Sequence, residues 1–469
     1  MLTLEPRHQV PLVTQIVEGL KRLIAERRLR PGSKIPSIRQ LAEQEGVSVS
    51  TVVEAYDRLV AEGYLVARQN SGFFVRATPR GLYREESQSL RNIRFDPLWF
   101  VRQIWESSSA DITPGYGWVP DGWLDGDAIR RALRSLSNKA PHLATGYGSP
   151  KGFVPLRMKV CDLLAEREIP VAQDQVLLTT GASHAIELVS QYLLRPGDVA
   201  LVDEPGYSVM ISNLRARGAQ VVGVPWTAGG PDLQALEGLA RTHKPRAFFT
   251  NPRLHNPTGA SYSSGTAHRV LQLADRHDFF IVEDDVCAEL DIAQRPSLAC
   301  LDQLNRVIYL TSFSKSVSPR LRVGYIAAHP DAIEDITQIK MTTGLTSPET
   351  TERLVYEILN EGRQRKHIKG LRERLATAQE ATVRELEDAG LEVFAEPGSG
   401  LFVWARVPGI EDSSQICYDA LESGILLAPG HLFMTQGSSP WIRFNSAFSD
   451  PPELYRFLAS VATTPENPR

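Results

Sequence analysis

The chain has 469 residues, of which 42% are hydrophobic and 23% charged, and this balance is typical of soluble globular proteins with roughly two to four folding units. No apolar run approaches the length of a membrane span, and the first residues lack the apolar core of an export signal. The cysteines Cys161, Cys287, Cys300 and Cys417 show no metal-ligand spacing. We therefore expect a cytoplasmic protein with no metal site and no membrane partner.

The net charge of -4 conceals two regions of opposite sign. Residues 1–80 carry 12 Lys and Arg against 8 Asp and Glu, whereas the remaining 389 residues carry 39 against 47. The first region is therefore at +4 and the rest of the chain at -8. A small basic region on a large acidic body indicates an anionic partner for the basic part, although four charges also lie within chance variation.

Two helices are predicted in the first half of this basic region. Apolar residues recur at helical spacing from Leu12 to Ile24 and predict the first helix. Ser37 and Gln40 have the spacing of a capping box at the start of the second. Gly46 is a natural left-handed residue for its end.

A third helix and a hairpin follow. Ser48 is placed to cap the helix, and alternating residues from Tyr64 to Val75 predict a strand, a basic turn and a strand. Three helices and such a wing make the winged form of the helix-turn-helix DNA-binding motif. The hydroxyl and basic side chains placed to contact double-stranded DNA are Ser37, Arg39, Ser48, Ser50, Thr51 and Arg68.

This region resembles the GntR-type winged helix in three stretches, namely residues 31–42, 46–52 and 61–65. The alternative is a small basic docking module. One position departs from the pattern, because the GntR type commonly has arginine directly after the serine of the third helix, where this chain has Val49. The resemblance therefore implies DNA binding with an unusual base preference.

The segment 77–95 is charged, polar and aperiodic, and it predicts a linker. The expected domains are thus a DNA-binding domain at 1–76, the linker at 77–95 and a large body at 96–469. In the body, helical patterns alternate with short apolar strands, which predicts an α/β fold with a mostly parallel sheet. Ligands of such sheets bind at the carboxyl ends of the strands.

Small or aromatic residues follow the first two strands of the body. Thr179 to Ser183 precede a helix, so that their backbone N–H groups are placed to cradle a phosphate, although Gly181 also fits a plain turn. Tyr207 follows the second strand and is placed to stack on a planar ring, although a core or surface tyrosine is the commoner case.

Amide and carboxylate side chains follow the next two strands. Asn256 lies in an Asn-Pro turn and its amide is placed to bond a phenolic oxygen. Glu283, Asp284 and Asp285 are adjacent carboxylates that repel one another, and one of them would keep a pyridine nitrogen protonated, unless all three are simply solvated.

A lysine follows the strand Arg306–Leu310. Lys315 comes after two serines and a phenylalanine, and a partly buried lysine near positive charge loses its proton readily enough to attack an aldehyde. Ser312 and Arg322 are placed to hold a phosphate beside it. An ordinary solvated surface lysine is the alternative.

These pieces in this order resemble the fold-type I aminotransferases, which bind pyridoxal 5'-phosphate (PLP), over roughly residues 110–460. The resemblance implies that Lys315 carries the cofactor as a Schiff base, that Asp284 pairs with the ring nitrogen and that Arg443 clamps a substrate carboxylate. It also implies that Tyr147 reaches the phosphate of a partner subunit. The other implied cofactor contacts are Ala182, Ser183, Tyr207, Asn256, Ser312 and Arg322. Such enzymes usually have tyrosine three residues after this aspartate, where this chain has Cys287.

A GntR-type winged helix joined to an aminotransferase-like body resembles the MocR family of bacterial transcription regulators. This resemblance implies a head-to-tail homodimer that binds an operator and senses a small amine, an amino acid or PLP itself. The alternatives are an active aminotransferase with a DNA-binding appendage and a scaffold without cofactor. Cys287 weighs against turnover, whereas Lys315 and Arg443 permit it.

Overall fold

The structure is a computed structural model and describes residues 10–25, 28–30, 32–68, 71–75, 100, 102, 110–139, 146–395, 398 and 400–462. The chain forms two compact units, Met1–Gln88 and Ser89–Arg469. The predicted linker at 77–95 lies outside the described residues. None of the helices in the described ranges combines the length and the hydrophobicity needed to cross a membrane.

The first unit consists of three helices and an antiparallel hairpin: α1 Leu12–Ala25, α2 Ile38–Glu45, α3 Val49–Ala61, β1 Leu65–Arg68 and β2 Gly72–Val75. The predicted capping box is present, since the Ser37 hydroxyl accepts the Gln40 N–H at 3.4 Å and Gln40 Oε1 accepts the Ser37 N–H at 3.0 Å. Gly46 ends α2 with φ 66°. The predicted winged helix is confirmed.

The inner face of α3 holds this unit together. Val52, Ala55, Tyr56 and Leu59 are completely buried in one apolar core with α1, β1 and β2. The Tyr56 hydroxyl donates to the Pro36 carbonyl at 2.8 Å, and its ring meets Phe73 of the hairpin edge to face at 4.9 Å. The hairpin is therefore fixed to the helix that precedes it.

The second unit is built on an eight-stranded sheet with the strand order β3-β10-β9-β8-β7-β4-β5-β6. Its strands are β3 Val176–Thr179, β4 Val199–Glu204, β5 Gln220–Thr227, β6 Gly230–Pro231, β7 Ala247–Thr250, β8 Phe280–Asp284, β9 Val307–Ser312 and β10 Gly324–Ala327. The run from β5 through β4, β7 and β8 to β9 is parallel, as predicted. Apolar side chains cover both faces of the sheet.

Two strands of this sheet run against the others, β6 at one edge and β10 in the interior. β10 pairs antiparallel with both β3 and β9, and Gly324 at its start lies opposite Thr179 and Ser312 at their ends. The residues just before β10 therefore reach the same edge as the carboxyl ends of the parallel strands. The sequence pattern did not indicate this reversal.

Helices and a second sheet complete the unit. The second sheet is antiparallel, with the order β11-β12-β14-β13, and comprises β11 Glu392–Val393, β12 Phe402–Arg406, β13 Ala428–Pro429 and β14 Trp441–Asn445. The helices are α4 Gly126–Lys139, α5 Val154–Ala165, α6 Ala182–Leu193, α7 Ser208–Ala216, α8 Leu233–His243, α9 Ser264–His277, α10 Leu298–Asp302, α11 Pro330–Gly344, α12 Glu349–Asn360, α13 Gln364–Asp388, α14 Ser414–Glu422 and α15 Pro452–Ala462. A separate apolar core lies around the second sheet.

Candidate functional site

The three adjacent carboxyl groups at the end of β8 are all buried, which excludes simple solvation of a loop. Glu283 accepts the N–H groups of Leu298 and Ala299 at 3.0 and 2.8 Å, at the start of α10. Asp285 accepts Arg253 Nε at 3.0 Å, a second bond from Arg253 Nη2, and the Tyr309 hydroxyl at 2.8 Å. The carboxyl groups of Glu283 and Asp285 therefore form hydrogen bonds that stabilise the fold.

Asp284 differs from its two neighbours. Its side chain is 3% exposed, and Oδ1 has no hydrogen-bond partner among the described residues. Burial, and after it the charge of Asp285, raises the pKa of Asp284 to about 7, while a hydrogen bond from the Val286 backbone N–H and the charge of Lys315 oppose the shift. A buried acceptor without a donor is costly unless a ligand supplies one. Asp284 is therefore the carboxyl group that is available to a ligand.

Lys315 faces the same space from the loop after β9. It is half-buried, and its Nζ donates to the Gly117 carbonyl. Burial lowers the pKa of Lys315; Cys287 and Asp284 oppose this shift, whereas the cations Arg443 and Arg322 add to it. A lowered pKa leaves more of the amine neutral, which is the form that attacks a carbonyl carbon.

A cradle for an anion lies at the start of α6. Gly181 precedes the helix with φ 80°, and a Cβ there would lie 2.6 Å from Arg322 Nη2. Ala182 and Ser183 form the first turn, where backbone N–H groups have no partner inside the helix. Ser312, at the end of β9, is 8% exposed. The packing of Arg322 against a residue without a side chain supports the cradle over a plain turn.

Arg322 reaches this cradle because of the reversed strand. It lies two residues before β10, with φ 52°, and its Nη2 approaches the Thr180 carbonyl at 3.4 Å. Gly324 packs against the Gly181 backbone, so closely that a Cβ on Gly324 would lie 3.0 Å from the Gly181 Cα. The position of the arginine thus follows from the register of β10 with β3.

Tyr207 and Asn256 border the same space. Tyr207 is half-buried at the start of α7, hydrogen-bonds with Ser183, and has a pKa raised by burial and by Asp284. Asn256 donates its backbone N–H to Asn251 Oδ1 at 2.7 Å, and Asn251 Nδ2 donates to the Asp284 carbonyl at 2.6 Å. The Asn-Pro loop is therefore tied to the end of β8.

Arg443 comes from the second sheet, on β14. It is 5% exposed and lies between the rings of Phe402 and Phe433, at 4.6 and 4.8 Å. Its Nη1 donates to Asn256 Oδ1 at 2.8 Å, and Nε has no partner among the described residues. Burial lowers the pKa of Arg443 to about 9, so the guanidinium remains charged at neutral pH. A buried guanidinium whose Nε–H has no acceptor is suited to bind a carboxylate through a charge-assisted hydrogen bond.

A segment that the sequence analysis passed over closes this side of the site. Asn445 Nδ2 donates to the carbonyls of Tyr116 and Trp118 at 2.9 and 2.8 Å, and Arg443 Nη2 donates to the Gly115 carbonyl at 2.7 Å. These bonds fix the Gly117 carbonyl that accepts from Lys315. The residues Pro114 to Gly117 begin with a Pro-Gly pair, which predicts a turn. Nothing in the local sequence indicates which distant residues this segment contacts.

Two predicted residues behave differently from the rest. Tyr147 is 88% exposed, and the structure does not bring it to the other site residues of the same chain. Cys287 is 2% exposed, and burial raises the pKa of its thiol to about 12, with Lys315 opposing the shift. Cys287 therefore stays a neutral thiol beside the lysine, a weak hydrogen-bond donor.

In the first unit, three of the six DNA-contact candidates, Ser48, Ser50 and Thr51, lie together at the start of α3. Ser48 Oγ accepts the Thr51 N–H at 3.1 Å and lies 2.8 and 2.7 Å from the hydroxyls of Ser50 and Thr51. Arg39 is exposed and forms no ion pair within the described part of the chain. Ser37 is occupied as the cap of α2. Arg68 ends β1, and its side chain lies outside the described residues.

Together these features define the class of protein: a winged helix on the same chain as a fold-type I aminotransferase-like body. The sequence matches the protein-family model described as "Aminotransferase class I and II" over residues 122–461, and the one described as "Bacterial regulatory proteins, gntR family" over residues 12–75. The chain therefore belongs to the aminotransferase class I and II family and carries a gntR-family domain, an arrangement consistent with the MocR family.

Relatives of both kinds are found. The uncharacterized HTH-type transcriptional regulator YdfD of Bacillus subtilis is 30% identical over 96% of this chain and 95% of its own. The 2-aminoadipate transaminase of Thermus thermophilus is 33% identical over 68% of this chain and 80% of its own. The crystal structure of Pyrococcus horikoshii kynurenine aminotransferase in complex with PMP has a TM-score of 0.72 at 25% identity, over 80% of this chain and 95% of that one.

The donor set fits pyridoxal phosphate, which the family and fold support as the cofactor. The buried Oδ1 of Asp284, which has no partner among the described residues, suits a protonated ring nitrogen, and the Gly181 cradle with Arg322 suits a phosphate. Lys315 supplies the amine that an aldehyde requires. The predictions of fold class and cofactor are confirmed.

Replacing Asp284 by asparagine tests this reading of the carboxyl group. The folded-state pKa of about 7 lies above the ordinary 3.8, so ionisation of Asp284 destabilises the cofactor-free protein above pH 7, and the penalty fades as the pH falls towards 4. We expect Asp284→Asn to raise the thermal midpoint of cofactor-free protein at pH 8, with a gain that shrinks at pH 5.

Asp285→Asn is the matched control. It removes an acceptor from Arg253 and Tyr309, and it should lower the midpoint at both pH values. A gain for Asp284→Asn that is the same at pH 5 and pH 8 would contradict the assignment.

Proposed function

We propose that the protein is a DNA-binding transcription regulator whose PLP-bearing body senses a small amine, most simply an amino acid. The observation that carries the proposal is that Asp284, whose Oδ1 has no hydrogen-bond partner among the described residues, lies near a half-buried Lys315 in a chain that also has a winged helix. The domain limits follow the sequence, with 1–76 binding DNA, 77–95 as the linker and 96–469 as the sensing body. Operator binding places the protein in the cytoplasm.

The residues around the site favour an amino acid over a simple amine. Arg443 places a charged guanidinium between the rings of Phe402 and Phe433, and its Nε–H has no acceptor among the described residues. It therefore suits a carboxylate rather than a second amine. When bound, PLP supplies an aldehyde that exchanges one amine partner for another. Asp284 holds the ring nitrogen, Tyr207 covers the ring, and Asn256 bonds the ring oxygen. The residues proposed to hold the phosphate are Ala182, Ser183, Ser312 and Arg322.

Lys315 connects the site to the second sheet. An effector amine that took its place would free Nζ, which donates to the Gly117 carbonyl when no cofactor is bound. Gly117 belongs to the segment that Asn445 and Arg443 hold. Release of the lysine would therefore change the hydrogen bonding of the Gly117 segment, which is joined to β14. This change would shift the equilibrium between two conformations of the body.

The proposal includes a head-to-tail homodimer. Tyr147 is 88% exposed on the loop between α4 and α5, and a large exposed aromatic ring is a natural contact for a second copy. In the proposed dimer, Tyr147 reaches the phosphate held by the partner subunit. Two winged helices per dimer would then bind two half-sites of an operator.

The cofactor prediction is tested by colour and by covalent trapping. We expect purified protein to bind PLP with an absorbance band in the visible or near ultraviolet, and borohydride to fix the cofactor to Lys315, as located by peptide mass spectrometry. Lys315→Ala should bind PLP non-covalently and give no reducible linkage. Protein that takes up no added PLP, or a trapped adduct elsewhere in the chain, rejects the assignment.

The DNA-binding prediction concerns the first unit. Arg39→Ala should weaken binding of an operator fragment by about 5- to 150-fold, the range for losing a contact worth about 1–3 kcal/mol, and affinity should fall steeply with salt. Arg22→Ala, on α1, is a control that removes one cation of the same unit. A body of residues 96–469 that binds the same operator as tightly as the full chain would refute the role of the first unit.

A second candidate function is an active aminotransferase, which the likeness to 2-aminoadipate transaminase favours. The thiol of Cys287 stands where the enzymes usually have a phenol, so we expect amino-group transfer to 2-oxo acids to be slow or absent. The test is wild type against Cys287→Tyr with several amino acids. Rapid turnover by wild type, no slower than by the tyrosine variant, would favour the enzyme.

A further inference from the structure

The outer surface of α3 carries two apolar side chains that the fold does not use. Val49 and Val53 are 49% and 37% exposed, and neither belongs to the apolar core formed by the described residues of this unit. They are four residues apart, so they lie one turn apart on the same strip of the helix. The core face, formed by Val52, Ala55 and Leu59, is on another side of the helix.

These valines contribute little to the stability of the helix. β-Branched residues are weaker helix formers than alanine, and an exposed methyl group gains nothing from burial. Their stiffness is an advantage for recognition, since a valine in a helix holds one dominant rotamer and loses little entropy when a partner covers it. The pair is therefore better explained by a partner than by folding.

The pair lies on the part of the helix that faces DNA in this motif. The N-terminal residues of the second helix of a helix-turn-helix contact base edges, and Val49 is the first residue of α3. The neighbouring hydroxyls of Ser48, Ser50 and Thr51 lie within hydrogen-bonding distance of one another. The valines thus lie beside a cluster of short polar groups and are the exposed apolar side chains at this end of the helix.

We propose that Val49 and Val53 read thymine methyl groups in the major groove, so that each operator half-site has thymines at the positions they face. Thymine alone presents a methyl group there, and apolar side chains are its complement. Valine has no donor for guanine, so an arginine-type guanine contact at position 49 is excluded. The charge of +4 over residues 1–80 suits attraction to phosphates, which carries no sequence information. The inference rests on the proposed DNA binding.

The direct test removes the methyl groups from the DNA. Full-length protein first selects its sites from random-sequence duplexes, and each conserved thymine of the enriched site is then replaced by deoxyuridine, which lacks only the methyl group. We expect an affinity loss of roughly fourfold at each thymine that a valine contacts, corresponding to about 0.8 kcal/mol for one methyl group. Thymines outside the contact should show no loss.

Variants assign each thymine to its valine. In Val49→Ala or Val53→Ala, the deoxyuridine penalty should disappear at one thymine and persist at the other, as a mutant cycle requires. Val49→Arg should shift the selected base towards guanine. Val10→Ala is the matched control, because Val10 is 37% exposed, as is Val53, but precedes α1. Far-ultraviolet circular dichroism checks folding, which alanine should leave intact.

The outcomes separate this inference from the proposed function. If no sequence is enriched and no duplex is retained, the proposed DNA binding fails and the inference fails with it. If a site is enriched but deoxyuridine and both alanine variants leave its affinity unchanged, DNA binding stands and the inference is overturned. A selected site with guanine opposite position 49 in wild type also overturns it.

Discussion

The body of this protein depends on how three successive carboxyl groups are buried at the end of one strand. Charges removed from water need partners, and two of the three have them: Glu283 bonds two backbone N–H groups of α10, and Asp285 bonds Arg253 and Tyr309. These bonds fix the end of β8 rigidly. Asp284, between them, is thereby held in place without a side-chain partner for Oδ1. A buried acceptor without a donor suits the protonated ring nitrogen that we propose it binds.

The site is completed from outside the large sheet. Arg443 on β14 bonds Asn256 of the loop after β7, and Asn445 bonds the segment whose Gly117 accepts from Lys315. A ligand between Lys315 and Arg443 would therefore touch elements of both sheets. The two sheets have separate apolar cores, so such a ligand would join two separately packed parts of this unit.

Signals contained within a few residues were read correctly from the sequence. The capping box of Ser37 and Gln40 and the left-handed Gly46 are local features, and the structure confirms each of them. The positions of Asp284 and Lys315 at one sheet edge followed from the rule that the carboxyl ends of strands gather there. The position of Arg322 at the same edge depends instead on the antiparallel direction of β10.

Contacts between distant segments could not be predicted in the same way. The antiparallel direction of β10, the bond from Lys315 to Gly117 and the pairing of Asp285 with Arg253 each join residues that no local pattern relates. Adjacent carboxylates gave no indication of which one remains free, because that depends on partners 15 to 32 positions away along the chain. Tertiary partners, rather than propensities, decide these features.

The two unusual positions of the chain, Val49 and Cys287, point in a common direction. A neutral thiol beside Lys315 leaves a site that holds its ligands but lacks the phenol expected of an enzyme, which suits sensing rather than turnover. Apolar base contacts that each change the affinity by roughly fourfold would give a single winged helix little discrimination between DNA sequences. Tight binding to an operator then requires two winged helices to engage at once, because linked sites gain affinity through effective concentration. A change in the body that alters whether both engage would control DNA binding without altering either recognition helix.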